Sequence, residues 1–296
     1  MRSELPAVDV EVVVEAADEL GEGPAWDERS GTLAWVDISR HLVQFYDPRT
    51  KASSRVDVGK PVSAALPRAA GGSVLLRGDG LATLSIDGRV DEVLALPPSA
   101  SKVRTNDGNC DSAGRLWVGT MGLNCERGAG ALYRVDGDWS VHRMLEGVTI
   151  SNGIDWSPDD ALMYYVDSAT NTVEVFDFDV RHGKIANRRV FVRVGRGDSV
   201  LPDGLTVDQD GGVWVALWGA GLVHRYDARG RLDRVIRVPT PNVTSCAFGG
   251  AKLDELYITS AREDVPLGVL ADANAAGALF RHRPGVQGRP QTAFCG

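Results

Sequence analysis

The chain predicts an all-β fold, a six-bladed β-propeller with four-stranded blades around a central channel, spanning residues 1–296 as a single domain. Three observations carry that expectation. A tight turn followed by an aromatic-rich apolar strand recurs at 30–37, 71–76, 113–119, 159–166, 211–216 and 253–259. A second phrase, alternating apolar and polar residues as a half-buried strand does, follows each one at 42–47, 81–87, 132–136, 173–177, 222–227 and 279–282. Gly, Pro and Asp punctuate the chain about every 8–12 residues, and no segment keeps a 3.6-residue apolar period. A β-sandwich with coincidental turns would not repeat two phrases in the same order six times.

Residues 8–14 come before the first unit and form a β-branched run, including Val10, Val12, Val13 and Val14. A ring of blades must close, so this run is expected to complete the last blade beside the C-terminal segment. Within each unit a short strand precedes the turn, at 23–27, 62–66, 107–111, 153–157, 204–208 and 245–249. These are the expected inner strands lining the channel. Trp35, Trp117, Trp214 and Tyr257 read as one repeated core position.

The residues just before the inner strands should form a ring at one mouth of the channel. They are Glu22, Lys60/Pro61, Asn106, Asn152, Asp203 and Thr244. Four are carboxylates or carboxamides, and a Gly stands within two residues of each of those four, where it permits close backbone approach. Asn and Asp usually cap turns. Here four fall in register, and two carboxylates converging in a partly dry channel repel unless a cation joins them. Hard oxygen donors suit Ca²⁺, Mg²⁺ or Mn²⁺, and a small carboxylate site also takes Zn²⁺ or Fe²⁺.

The bulk numbers exclude other classes. Net charge is −8, which disfavours nucleic acid as a partner. No apolar run has the ~18 residues of a membrane span, and the start lacks the apolar core of a signal peptide. Four irregularly spaced Cys suggest reduced thiols and a cytoplasmic location. Nothing suggests an obligate oligomer, so a monomer or weak oligomer is expected. No nucleophile elbow, phosphate loop or His-Glu-x-x-His motif occurs.

The segments 20–26, 104–108, 151–156 and 202–204, with 119–121 and 259–262, resemble the signatures of the SMP-30/gluconolactonase/regucalcin family. The resemblance spans essentially the whole chain. It implies a six-bladed propeller that binds one divalent metal ion and hydrolyses a sugar lactone. It further implies Glu22, Asn152 and Asp203 as metal ligands, and Arg104 and Asn106 as substrate contacts. Some members carry a substrate-touching Glu in the loop after the Gly-Thr-Met segment. Asn124 lies near that place here, with Glu126 two residues on. Asp203 is the expected catalytic residue, holding the attacking water as general base or acting as a ligand. A metal-dependent esterase or organophosphate hydrolase, and a non-catalytic metal-binding propeller, are the alternatives on the same scaffold.

Overall fold

Six four-stranded antiparallel sheets, each consecutive in sequence except the last, follow one another around a ring of inner strands. The structure is a computed structural model that describes residues 10–97, 102–194, 199–265 and 275–296. The inner strands are Gly21–Asp27, Val62–Pro67, Val103–Cys110, Ser151–Trp156, Leu201–Val207 and Val243–Gly249, in blades one to six. Each inner strand contacts the inner strands before and after it, and the first contacts the sixth, so the ring closes. This is the six-bladed β-propeller expected. Among the described residues the one helical turn is a 3₁₀ turn at Ser168–Thr170.

Closure works as the N-terminal run predicted. Glu11–Val14 is the outermost strand of blade six, antiparallel to Leu279–His282, with Glu11 opposite Arg281 and Val12 opposite Phe280. Residues 8 and 9 of that run lie outside the described residues. Arg281 fastens the seam: its Nη2 donates to Glu11 Oε2 at 2.7 Å and its Nη1 to Glu255 Oε1 at 3.1 Å. The Arg281 hydrogen bond, reinforced by its charge, holds the Glu11 carboxyl below its usual range.

The hydrophobic core lies between blades rather than at the axis. One buried apolar cluster fills each of the six interfaces; Trp117, Trp156, Tyr165 and Phe178, for instance, join blades three and four. Each sheet therefore buries both faces against its neighbours, and the polar inner edges are left to line the channel.

The repeated aromatic position needs one correction. Trp117, Trp214 and Tyr257 do occupy equivalent register, opposite Asn109, Thr206 and Ala247 of their inner strands. In blade one that register belongs to Leu33, opposite Trp26. Trp35 sits two residues on, where its Nε1 donates to Asp18 Oδ2 at 2.8 Å. Trp117 and Trp214 instead donate to Asp111 and Asp208, the residues that begin their own turns.

The C-terminal segment straps the face opposite the inner-strand starts. Gly288 N donates to Leu253 O, Phe294 N to Pro67 O, and Cys295 N to Gly114 O, so residues 288–295 run from blade six across to blades two and three. Phe294 is fully buried against Trp139, with ring centroids 4.8 Å apart. Arg68 Nε holds the final carbonyl, Gly296 O, at 2.8 Å.

Candidate metal and substrate site

All six inner strands break register with their neighbour at the same level. The irregularities fall between Glu22 and Ala25, Val62 and Ala64, Thr105 and Gly108, Ser151 and Ile154, Pro202 and Leu205, and Val243 and Cys246. A bulge adds a residue to one strand and re-aims its side chain. Asn106, Asn152, Asp203 and Thr244 are each the first residue of their bulge, and Glu22 is the paired residue immediately before its own. The ring read from sequence is thus built by a repeated distortion of the backbone.

The glycines beside it are required by close approach. A Cβ on Gly153 would lie 2.4 Å from Leu205 N, and one on Gly204 would lie 2.0 Å from Ser245 Oγ. Gly23 has φ +53°, in the left-handed region that side chains avoid. In blade two the position falls at Ser63, whose hydroxyl donates to Thr105 Oγ1 at 3.2 Å. The sequence reading places Lys60/Pro61 there, and the structure corrects it: both are exposed outside the strand, and Lys60 pairs with Glu92 Oε1 at 2.8 Å.

One hydrogen-bonded chain links three of the predicted residues, Arg104, Asn106 and Asn152, and ends beside a fourth, Asp203. Arg104 Nη1 donates to Asn106 Oδ1 at 2.6 Å and to Thr105 O at 2.9 Å. Asn106 Nδ2 donates to Asn152 Oδ1 at 3.1 Å and to Ser151 O at 2.7 Å. Asn152 Nδ2 donates to Ser168 Oγ at 2.9 Å, and that hydroxyl donates to Pro202 O at 2.7 Å, on the residue preceding Asp203. The amides are therefore oriented, each with its nitrogen committed to the protein. Ser168 was not legible as a site residue: it lies in a connecting turn and reaches the ring only through the fold.

The two carboxylates are left uncompensated. Glu22 is buried, and its Oε2 accepts the Gly23 N–H at 2.9 Å. Burial, with repulsion from Asp107, pushes its pKa up to about 8, against the Gly23 hydrogen bond and the Arg104 charge. Burial raises Asp203 well above the usual carboxylate range, and the charges of Glu22 and Asp107 add to that. Asp203 Oδ1 is buried with no hydrogen-bond partner. Asp107, raised by burial to about 6, is a third carboxylate in the channel and was read only as part of the inner strand. Its signal was present in the run Asn106, Asp107, Gly108.

Among the described residues no three His, Cys, Asp or Glu side chains form a group able to hold a metal ion. A site here draws on two carboxylates and an amide oxygen, all hard donors. These residues fit a divalent cation: it would relieve the repulsion between Glu22 and Asp203 and satisfy the orphaned Asp203 oxygen. The positive charge of Arg104 does not remove the upward shift of either carboxylate.

Asn124 lies apart from this network. It is exposed in the loop after Leu116–Gly122, with its Nδ2 on Glu126 Oε1 at 2.9 Å and its N–H on Glu126 Oε2 at 3.1 Å. Leu123 N in the same loop donates to Lys102 O at 3.1 Å, which sets that loop at the rim beside Arg104. Among the described residues no helix is long and apolar enough to cross a membrane.

Known proteins share this architecture. A regucalcin from Danio rerio is 35% identical over 296 residues, covering 99% of this chain and 100% of the relative. The solved structure of a calcium-binding regucalcin from Agrobacterium tumefaciens superposes with a TM-score of 0.92 at 29% identity, over 98% of each chain. A luciferin-regenerating enzyme superposes with a TM-score of 0.89 at 31% identity, over 96% of this chain and 98% of the other. The profile of the SMP-30/Gluconolactonase/LRE-like region matches residues 20–262, and the chain belongs to that family.

Proposed function

We propose that this protein is a divalent-cation-dependent hydrolase that opens the ring of a sugar lactone to the corresponding hydroxy acid. The observation that carries the reading is the pairing of Glu22 with Asp203, two buried carboxylates with raised proton affinity, one bearing an oxygen with no protein partner. Membership of a family named for gluconolactonase supports the substrate class. Glu22, Asn152 and Asp203 would hold the ion. Bound there, a divalent cation supplies Lewis-acid polarisation of a carbonyl.

The chain's own residues divide the remaining work. Arg104, anchored through Nη1, presents its other guanidinium nitrogens to ring hydroxyls or to the developing oxyanion. Asn106, fixed between Arg104 and Asn152, orients the substrate. Asp203 takes the proton of the attacking water and returns it to the ring oxygen as the carbon–oxygen bond breaks. A carboxylate has two oxygens, so holding an ion and moving a proton are compatible roles. Asn124, at the rim, meets the part of the sugar that projects from the channel. In this proposal a monomer or weak oligomer in the cytoplasm acts on a small neutral lactone.

The calcium-binding description of the Agrobacterium relative favours a second reading, a propeller that binds calcium without turnover. One panel separates the two. Proton release is followed with sugar lactones and with phosphotriesters, each with Ca²⁺, Mg²⁺, Mn²⁺ or Zn²⁺ after chelation. Lactone hydrolysis above the spontaneous rate, lost in Asp203→Ala, is expected. Ion binding with no acceleration of any ester would establish the second reading, and preference for phosphotriesters would mark an organophosphate hydrolase.

A further inference from the structure

The six blade interfaces are not filled alike. In three of them a pair of aromatic rings meets. Trp117 faces Trp156 between blades three and four, Trp214 faces Phe248 between five and six, and Tyr257 stacks on Trp26 between six and one, with centroids 6.0, 6.0 and 6.3 Å apart. Between four and five Tyr164 stands against Phe191 at 4.9 Å. Between two and three Val74 and Cys110 are small, and the C-terminal strap delivers the fully buried Phe294 into their cluster. Between blades one and two the buried core residues described are all aliphatic. Trp26, Leu33 and Trp35 of blade one turn towards blade six, which leaves Ala25 and Ala34 on the side of blade two. Opposite them stands Pro67, as far past Ser63 as Trp156 is past Asn152 and Phe248 past Thr244.

The rings missing here leave a cavity of about 490 Å³, within the roughly 300–1,000 Å³ of small-molecule sites. It is lined by the half-buried Phe45, which pairs with Ala34 across the sheet, and by Ile86, which is 93% exposed and so marks the mouth. Asp27 marks the polar end. It stands as far past Glu22 as Asp111 does past Asn106 and Asp208 past Asp203. In blades three and five Oδ2 of that aspartate holds two partners. One is an arginine Nε at 2.7 Å; the other is the indole N–H of Trp117 at 2.9 Å or of Trp214 at 2.8 Å. Blade one keeps the arginine: Arg29 N and Nε both donate to Asp27 Oδ1 at 3.1 Å. Oδ2 has only Arg29 Nη2 at 3.5 Å, with no indole beside it among the described residues. The Asp111 and Asp208 side chains are fully buried, whereas that of Asp27 is 25% exposed and open to a ligand.

The repeat itself names the chemistry of the occupant. Blades three and five show an indole in the corresponding place, and Phe294 shows that a ring from outside two blades can fill the gap between them. We propose that the cleft between blades one and two is a binding site for a free planar aromatic molecule of the indole class. Its ring packs against Phe45, and its N–H donates to Asp27 Oδ2. Burial of the ring and edge-to-face contact with Phe45 hold it, and the carboxylate fixes its orientation. Arg29 already neutralises Asp27, so a neutral ring is favoured over a cationic amine. The site does not involve Glu22, Asn152 or Asp203.

The test is titration of the full-length protein with indole and with 1-methylindole, by calorimetry and ligand-observed saturation-transfer NMR. Saturable indole binding is expected, with nuclear Overhauser contacts from the bound ring to Phe45. 1-Methylindole keeps the ring but lacks the donor, and should bind about tenfold more weakly, the effect of losing one hydrogen bond to a charged group. Asp27→Asn should erase most of that preference and leave 1-methylindole binding as it was. Ala34→Trp supplies the missing ring from the blade itself and should abolish binding of both. No saturable indole binding, or equal affinity for the two probes, would overturn the proposal. So would a preference that survives Asp27→Asn, or binding that survives in a folded Ala34→Trp protein. If Ala34→Trp does not fold, the Asp27→Asn preference and the contacts to Phe45 decide the matter.

Discussion

Neutralising Glu22 should stabilise the ion-free protein, the reverse of what removing a charged side chain from a packed site usually does. The Glu22 pKa rises from its ordinary 4.5 to about 8 on folding. A carboxyl whose pKa is raised by folding binds its proton more tightly in the native state. Its contribution is therefore fully present at low pH and is lost as pH climbs from about 4.5 through about 8. Each pH unit in that window is worth ~1.36 kcal/mol, so crossing from pH 6.5 to 8 costs about 2 kcal/mol, and Asp203 acts in the same direction. Asp18, Asp107 and His224 add little in that interval. Asp18 and Asp107, raised to about 6, have completed their effect below it. His224, lowered to about 4 by burial, adds stability only while pH rises to its ordinary 6.5.

The assay is urea denaturation in EDTA at pH 6.5 and pH 8, for the native chain and Glu22→Gln. The native chain should lose at least about 2 kcal/mol across the interval, since Asp203 adds to the Glu22 effect; the variant should lose clearly less and be the more stable of the two at pH 8. Calcium at 100 times its dissociation constant should stabilise the native chain by about 2.7 kcal/mol and the variant hardly at all. Native stability that is flat or rising from pH 6.5 to 8 in EDTA would refute the argument, as would a variant that is less stable at pH 8.

Ser168→Ala removes the hydroxyl that joins Asn152 to the Pro202 carbonyl, and should lower metal affinity 10–100-fold with little change in unfolding midpoint, read by calorimetry and denaturation. Gly204→Ala forces a Cβ to within 2.0 Å of Ser245 Oγ; a loss of about 1–3 kcal/mol and of ion binding is expected, and a soluble variant of native stability would contradict the close packing. Phe294→Ala should cost about 3–5 kcal/mol by opening a cavity against Trp139, measured by urea denaturation. Deleting residues 1–14 exposes the edge of Leu279–His282 and frees Arg281 from Glu11; a lowered melting temperature and aggregation are expected, and an unchanged melting temperature would show that the seam is dispensable.

Repetition is what made the fold legible. Strand alternation and turn residues are local signals, and six copies in order leave few architectures. The ring was legible for the same reason, since Asn106, Asn152 and Asp203 stand at one place in the repeat. Legibility stopped where a residue acts through a partner remote in sequence. Ser168 sits in a turn with no repeated counterpart, and its task appears only when Asn152 and Pro202 arrive on either side of it. The register of Trp35 was misjudged because a turn signal marks where a strand begins but not which of its residues faces which partner. The C-terminal strap was invisible for a related reason: residues 288–295 pair with separate blades instead of forming a periodic strand.

The distortion shared by all six inner strands has a bearing on how such a centre can change. Because the kink is supplied by the main chain in every blade, the ability to present a side chain to the axis does not depend on which amino acid stands there. Two of the six places hold plain hydroxyls: Ser63, and Thr244, whose Oγ1 rests on Gly21 O at 2.5 Å. Either can be exchanged for a further oxygen donor without redrawing a strand, so donor number and charge can be retuned one blade at a time while the barrel of sheets around them stays as it is.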